Sequence, residues 1–298
     1  MGSEKAAKVE TSKQMAIFAP SNEGDDATRI LNAALATPMI KGTPIKGPFG
    51  QKQKFKLTSF LEGDATKENL GKIWTGDIPH GRPALVFTGS HGMVFASGDT
   101  RQAAQQGAIV TQEWIHGAAP TPEQYFHAGE FDNLKSAKVH GMVHFLFACF
   151  GGGWPVIDTY VHTPGRPAQI APTPGMARLP QALLAHPNGG ALAVLGHIDR
   201  AWACSFAGTK DEPQVEGFRS VMNRIMSGSR LGNATDSFNM RWAGVSVDLT
   251  RMLQQKLSDV PVDKKLFVDT WINRDDARNY VLYGDPAVRV RVKDMPDL

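Results

Sequence analysis

Three continuous apolar runs, each cut off by a glycine-containing turn, constrain the fold of this chain more than any other feature. They occupy residues 83–88, 142–148 and 191–196. Unbroken apolar runs of this length, without polar alternation, are the signature of strands covered on both faces, which means a parallel sheet clad by helices. Helical patterns over 29–36, 67–74, 176–185, 215–227 and 234–257 lie between and beyond these runs. Strands therefore alternate with helices, and the predicted fold is α/β: a three-layer α/β/α sandwich with a mostly parallel sheet of about six strands. Further strands are expected at 15–20 and 55–61. Residues 280–283, the Gly284-Asp285-Pro286 turn and 287–292, where apolar residues alternate with Arg289 and Arg291, close the chain with an expected edge strand. Asp64 is expected to cap the helix that starts at Lys67.

A chain of 298 residues with 42% hydrophobic composition can build one large domain around a single core. Lys and Arg number 32 against 29 Asp and Glu, and the resulting net charge of +3 gives no electrostatic reason to bind nucleic acid. No apolar run reaches the length of a membrane span and no secretory h-region opens the chain, so no membrane partner and a cytoplasmic location are expected. Met1-Gly2-Ser3 reads as an expression scar. Residues 1–14 are expected to be a tag and a disordered N-terminus, and 15–298 one domain, which can itself be a piece of a longer protein.

The chemistry gathers at two strand ends. Cys149 closes the second run and precedes Phe150-Gly151-Gly152-Gly153, and His91 follows the first run in Gly89-Ser90-His91-Gly92. Open parallel sheets collect their active sites outside the carboxyl ends of the strands, where loops converge on rigid roots. A thiol beside an imidazole can act as a nucleophile, and glycines let backbone N–H groups face a developing oxyanion. The glycines are not a phosphate cradle, because neither a Lys-Ser/Thr pair nor GxGxxG spacing accompanies them. With only Cys149 and Cys204 present, a disulfide framework and a four-cysteine zinc site are excluded. His140 and His144 share a strand face without converging, so no metal and no cofactor are expected. Cys204 reads as a packed thiol. Asp158 and Asp199 follow strand ends closely enough to face a substrate, and His197 is a weaker site candidate.

Several blocks carry a resemblance: Gly89-Ser90-His91-Gly92, then Ala148-Cys149-Phe150-Gly151-Gly152, then 190–194 leading to Ala201-Trp202-Ala203, and the tail Leu282-Tyr283-Gly284-Asp285-Pro286-Ala287-Val288. With Ala65-Thr66-Lys67-Glu68-Asn69-Leu70, these blocks span about 65–292. In this order they resemble the caspase-like cysteine peptidases, and among them the gingipain-type peptidases and CHAT domains. His91 precedes Cys149 by 58 residues, close to the roughly 50 found in caspases. The resemblance implies an endopeptidase working through a thioester acyl-enzyme. His91 would be the base, Cys149 the nucleophile, and the backbone amides of Gly92 and Cys149 the oxyanion hole. It further implies Trp202 as a wall of the S1 pocket, with Asp158 or Asp199 supporting a modest preference for basic side chains. The partners would be a peptide or protein substrate and a regulatory or activating protein, in a regulated bacterial intracellular system. Two positions depart from the pattern: Ser90 interrupts the family's Gly-His-Gly, and Phe147 stands where basic-specific relatives often carry an acid. The rival readings are a catalytically silent caspase-like scaffold, whose mark would be a missing dyad, and a nucleotide-binding α/β regulator.

Overall fold

Burial along the strands orders the sheet. In the computed structural model, which describes residues 9–163, 166–208 and 210–298, the strands of the main sheet are β1 (Ser12–Ala19), β2 (Lys56–Leu61), β3 (Pro83–Gly89) and β4 (Val143–Phe147). A separate hairpin, β5 (Ile157–Thr163) and β6 (Arg166–Gln169), follows, and β7 (Ala193–His197) and β8 (Tyr280–Gly284) complete the main sheet. Its spatial order is β2-β1-β3-β4-β7-β8, parallel throughout except that β8 runs antiparallel to β7. The three apolar runs are thus the central β3, β4 and β7, in which every residue is buried, while β2 and β8 at the edges are partly exposed. Leu85 pairs with Val143 and Val143 with Ala193, so these strands stand in register and finish at one edge of the sheet.

Successive residues of a strand face opposite layers. Met15 and Ile17 of β1 point into a core shared with α1 (Asp26–Leu31), its π-helical continuation Asn32–Ala36, α2 (Thr37–Lys41) and a later helix, Glu216–Met226. Ala16 and Phe18 point the other way, toward α3 (Lys67–Thr75) and α4 (Arg178–Leu184). The helix at Glu216–Met226 is α5. Its Phe218 is fully buried and stacks on Phe145 at 5.6 Å, and on the opposite face Trp74 of α3 meets Phe126 and Phe131 edge-on. Beyond these layers, α6 (Asp236–Leu257) and α7 (Lys264–Arg278) pack against each other. No helix among the described residues is long and apolar enough to cross a membrane.

Several expectations need correction. The first strand begins at Ser12, inside the stretch assigned to a disordered tail. Gln14 is fully buried there because its amide donates to Thr58 Oγ1 and to the Pro79 carbonyl, both at 2.6 Å. Of the expected tail, residues 1–8 lie outside the described residues. Thr66, not Asp64, caps α3, accepting from Asn69 N at 3.2 Å. Residues 287–292 form no strand, since the carbonyls of Pro286 and Val288 accept from Gly232 N and Leu231 N at a helix start. The edge belongs to β8. Helix α7 and the β5–β6 hairpin were not foreseen. The apolar residues of α7 follow no single stripe, so its helical period is weak, although Asp263 caps it through Leu266 N at 2.7 Å.

Candidate functional site

Strand pairing brings the two candidate residues together. Gly89 at the end of β3 pairs with Phe147 at the end of β4, and Ser90 N donates to the Phe147 carbonyl at 3.1 Å, which holds the two chains side by side as they leave the sheet. His91 and Cys149 follow directly. A Cβ at position 92 would stand 1.9 Å from the Cys149 carbonyl oxygen, so only glycine lets the two turns touch here. Phe150, directly after the thiol, has φ of 58° and is fully buried. A left-handed bulky residue costs about 1–2 kcal/mol, and its surroundings hold it there. Phe150 N donates to the Asp199 carbonyl and Gly152 N to the His197 carbonyl, both at 2.9 Å, and a Cβ on Gly196 would meet Gly152 Cα at 2.7 Å. The amides of Gly92 and Cys149 donate to no other protein group among the described residues.

His91 is oriented by a residue the sequence reading passed over. Its Nε2 lies 2.9 Å from Asp25 Oδ2, and the same oxygen accepts from Thr28 N (2.9 Å) and Thr28 Oγ1 (2.6 Å), so one carboxylate caps α1 and grips the imidazole. The other Asp25 oxygen is 3.6 Å from His116 Nδ1, and the Trp114 ring meets both imidazoles edge-on. Burial pushes the Asp25 carboxyl up. The Thr28 bonds and the His91 ring outweigh it and hold the group below its ordinary value. Asp25 is therefore ionised at neutral pH, and His91 Nε2 is the nitrogen that donates to it. Nδ1 is left with the lone pair of a base. The available signal was local: Asp25 lies six residues beyond the end of β1, at the same sheet edge, in an Asp-x-x-Thr cap.

Cys149 is partly buried, and its Sγ accepts from Ala201 N at 3.4 Å. Burial raises the thiol above its ordinary value, and the Ala201 N–H and the Arg200 charge offset this only in part. The thiol rests protonated and needs a base to become a nucleophile. Cys149 and His91 line one cavity of about 500 Å³, with Leu31, Phe147, Ala201, Trp202 and Phe206 among its walls.

The remaining predicted residues fall differently. Trp202 does line this cavity, 38% exposed, its ring 5.3 Å from that of Tyr160. Asp158 and Asp199 do not. Asp158 is buried and accepts from Arg200 Nε at 3.0 Å and Nη2 at 2.6 Å, and it is Arg200 that lines the cavity. Asp199 accepts from Arg200 N (2.8 Å) and Thr159 Oγ1 (3.2 Å), and it borders a neighbouring cavity of about 620 Å³ with Trp154, Met176 and Arg278. Burial pushes its carboxyl up. Cys204 lines a third cavity, and burial pushes its thiol up to about 12. His144 is a core residue between Thr88 and Trp74, driven down to about 3 by burial.

A buried ionic knot underlies the Cys149 wall. His197 is fully buried and both ring nitrogens face oxygens, Nδ1 the Asp199 carbonyl at 3.0 Å and Nε2 the Asp276 carbonyl at 3.1 Å, an arrangement that favours a doubly protonated ring. Desolvation opposes that charge, but the neighbouring Asp276 carboxylate prevails and raises the imidazole above its ordinary value. The Asp276 carboxylate, also fully buried, accepts from Trp202 N (3.0 Å), from Arg241 Nη1 (3.2 Å) and from the Ser205 hydroxyl. This carboxylate of α7 thereby pins the segment that carries Ala201 and Trp202.

No protein-family model matches the chain, and no curated protein is significantly similar to it.

Proposed function

We propose that this protein is a cysteine endopeptidase in which Cys149 is the nucleophile, His91 the general base and Asp25 the residue that orients the base. One observation carries the reading: a partly buried thiol and an imidazole held by a carboxylate line the same cavity at adjacent strand ends. His91 Nδ1 takes the thiol proton as Sγ attacks the scissile carbonyl carbon and forms the C–S bond. The amides of Gly92 and Cys149 donate hydrogen bonds to the oxyanion. Collapse breaks the C–N bond, and His91 returns the proton to the departing amine. Water, deprotonated by His91, then cleaves the thioester and restores the thiol.

The substrate is a peptide or protein. Two unpaired thiols suit a reducing, cytoplasmic setting within a regulated intracellular system. The exposed apolar residues of α6 and α7, Trp242, Val247, Leu257, Val268 and Trp271, favour a regulatory or activating protein partner, and they are also what a catalytically silent scaffold of this fold would display. Site-resolved alkylation with peptide-based thiol reagents tests the reading. Cys149 should react faster than Cys204, and the advantage should vanish in His91→Ala. Preferential modification of Cys204, or indifference to His91, favours the silent scaffold.

A further inference from the structure

We propose that the cavity beside Cys149 is a subsite for an uncharged, apolar side chain of the substrate, with the Arg200–Asp158 pair closing it to charge of either sign. The proposal rests on the peptidase reading and names its substrate class. Leu31, Phe147 and Phe206 form buried walls, Trp202 supplies an aromatic face, and about 500 Å³ accommodates a side chain as large as Leu, Met or Phe.

Charge is excluded by the way the ions are paired. Arg200 is the one fixed charge lining the cavity among the described residues, so a Lys or Arg side chain would meet a like charge. No carboxylate is available to receive it. Asp158 is 2% exposed behind Arg200, and both Asp199 oxygens already accept hydrogen bonds beside the neighbouring cavity. A buried cation without a partner is costly. An acidic side chain would find Arg200, but only by drawing it off Asp158, whose Oδ2 takes both guanidinium contacts. That would take the guanidinium counter-ion from a buried carboxylate, which is also costly. An apolar side chain disturbs neither ion. The basic preference implied by the family resemblance is thus replaced by an apolar one, because Arg200 occupies the carboxylate that a basic side chain would need.

The test uses the full chain and four peptidyl acyloxymethyl ketones identical except for the side chain beside the warhead, Leu, Phe, Arg or Asp, with the Cys149 modification rate read by mass spectrometry. The Leu and Phe probes should react about tenfold or more faster than Arg or Asp. Asp158→Asn removes the partner of Arg200 and should raise the Asp probe relative to Leu. Ala27→Leu, at an exposed position on the cavity wall, should slow the Phe probe relative to Leu without touching any ion pair. An Arg-first or Asp-first order, or equal rates for all four, overturns the proposal. Leu-first labelling without any peptide cleavage keeps the subsite and removes the peptidase reading. Cleavage with a charged side chain preferred does the reverse.

Discussion

The two halves of the site are built to opposite plans. The His91 half lies near the surface: the imidazole is a third exposed and is held by a single carboxylate, in company with Trp114 and His116. The Cys149 half sits on a strained, buried turn tied through Asp199 and His197 to Asp276 and Arg241 on the outer helices. In the proposed mechanism the base, His91, has to exchange protons with water and a leaving group, whereas the nucleophile, Cys149, has to be placed. Solvent access and one orienting bond serve the first need, and burial serves the second, at the cost of a thiol that cannot ionise unaided. Substitutions in the first half should therefore cost activity, and substitutions beneath the second should cost folding.

The strongest way to break this contrast is to remove the reacting groups. Cys149→Ala and His91→Ala are each expected to lower peptide hydrolysis by about three orders of magnitude or more, with melting temperatures close to wild type. Comparable activity in either variant would end the dyad assignment. Next in size is Asp276→Ala, which leaves His197 and Arg241 without their shared counter-ion and should cost about 3–5 kcal/mol in urea unfolding. A loss under about 1 kcal/mol, the scale of an exposed pair, would mean the knot is not what anchors the Cys149 wall. Asp25 separates orientation from capping. Asp25→Asn keeps a good cap and should reduce kcat about 10–100-fold, as loss of an orienting partner does at other sites. Asp25→Ala should show the same kinetic loss plus about 1 kcal/mol of stability. Equal kcat in the Asn variant and wild type would reduce Asp25 to a cap.

The smallest effect sharpens the comparison through pH. The His197 imidazole is raised above its ordinary 6.5 in the folded chain, so its contribution to stability is complete below that value and is lost as pH rises through the folded one. Stability should fall on the alkaline side, and His197→Gln should flatten that fall. Asp25 works in the other direction. Its carboxyl is held below 3.8, so its contribution is present above that value and disappears as pH drops through the lower folded one. Denaturant titrations across pH read both slopes, and an unchanged alkaline slope in His197→Gln would show that the ring is not charged.

The sequence made the sheet, and the placing of His91 and Cys149 at neighbouring strand ends, legible for one reason: strands buried on both faces are almost wholly apolar, with Thr88 and His144 satisfying each other inside, so β3, β4 and β7 announced their shared edge and the residues just beyond it. What pairing across distance creates stayed hidden. Arg200 and Asp158 are 42 residues apart, and nothing local says that one consumes the other. Asp25 was visible as a helix entry but not as the partner of His91, 66 residues away. The tail at 287–292 alternates as a strand would, yet its neighbouring carbonyls are taken by a helix start, and tertiary hydrogen bonding overrode the pattern.

One oxygen, Asp25 Oδ2, receives the first turn of α1 and the imidazole together. Helix ends fray at temperatures far below those that unfold a core. Because the clamp on the proposed base is also the latch of that first turn, heat that loosens the latch should release His91 while the sheet is still intact. Turnover should then decline on warming before any loss of ellipticity, and a ligand or crosslink that pins the start of α1 should carry catalysis to higher temperature without raising the melting point of the sheet.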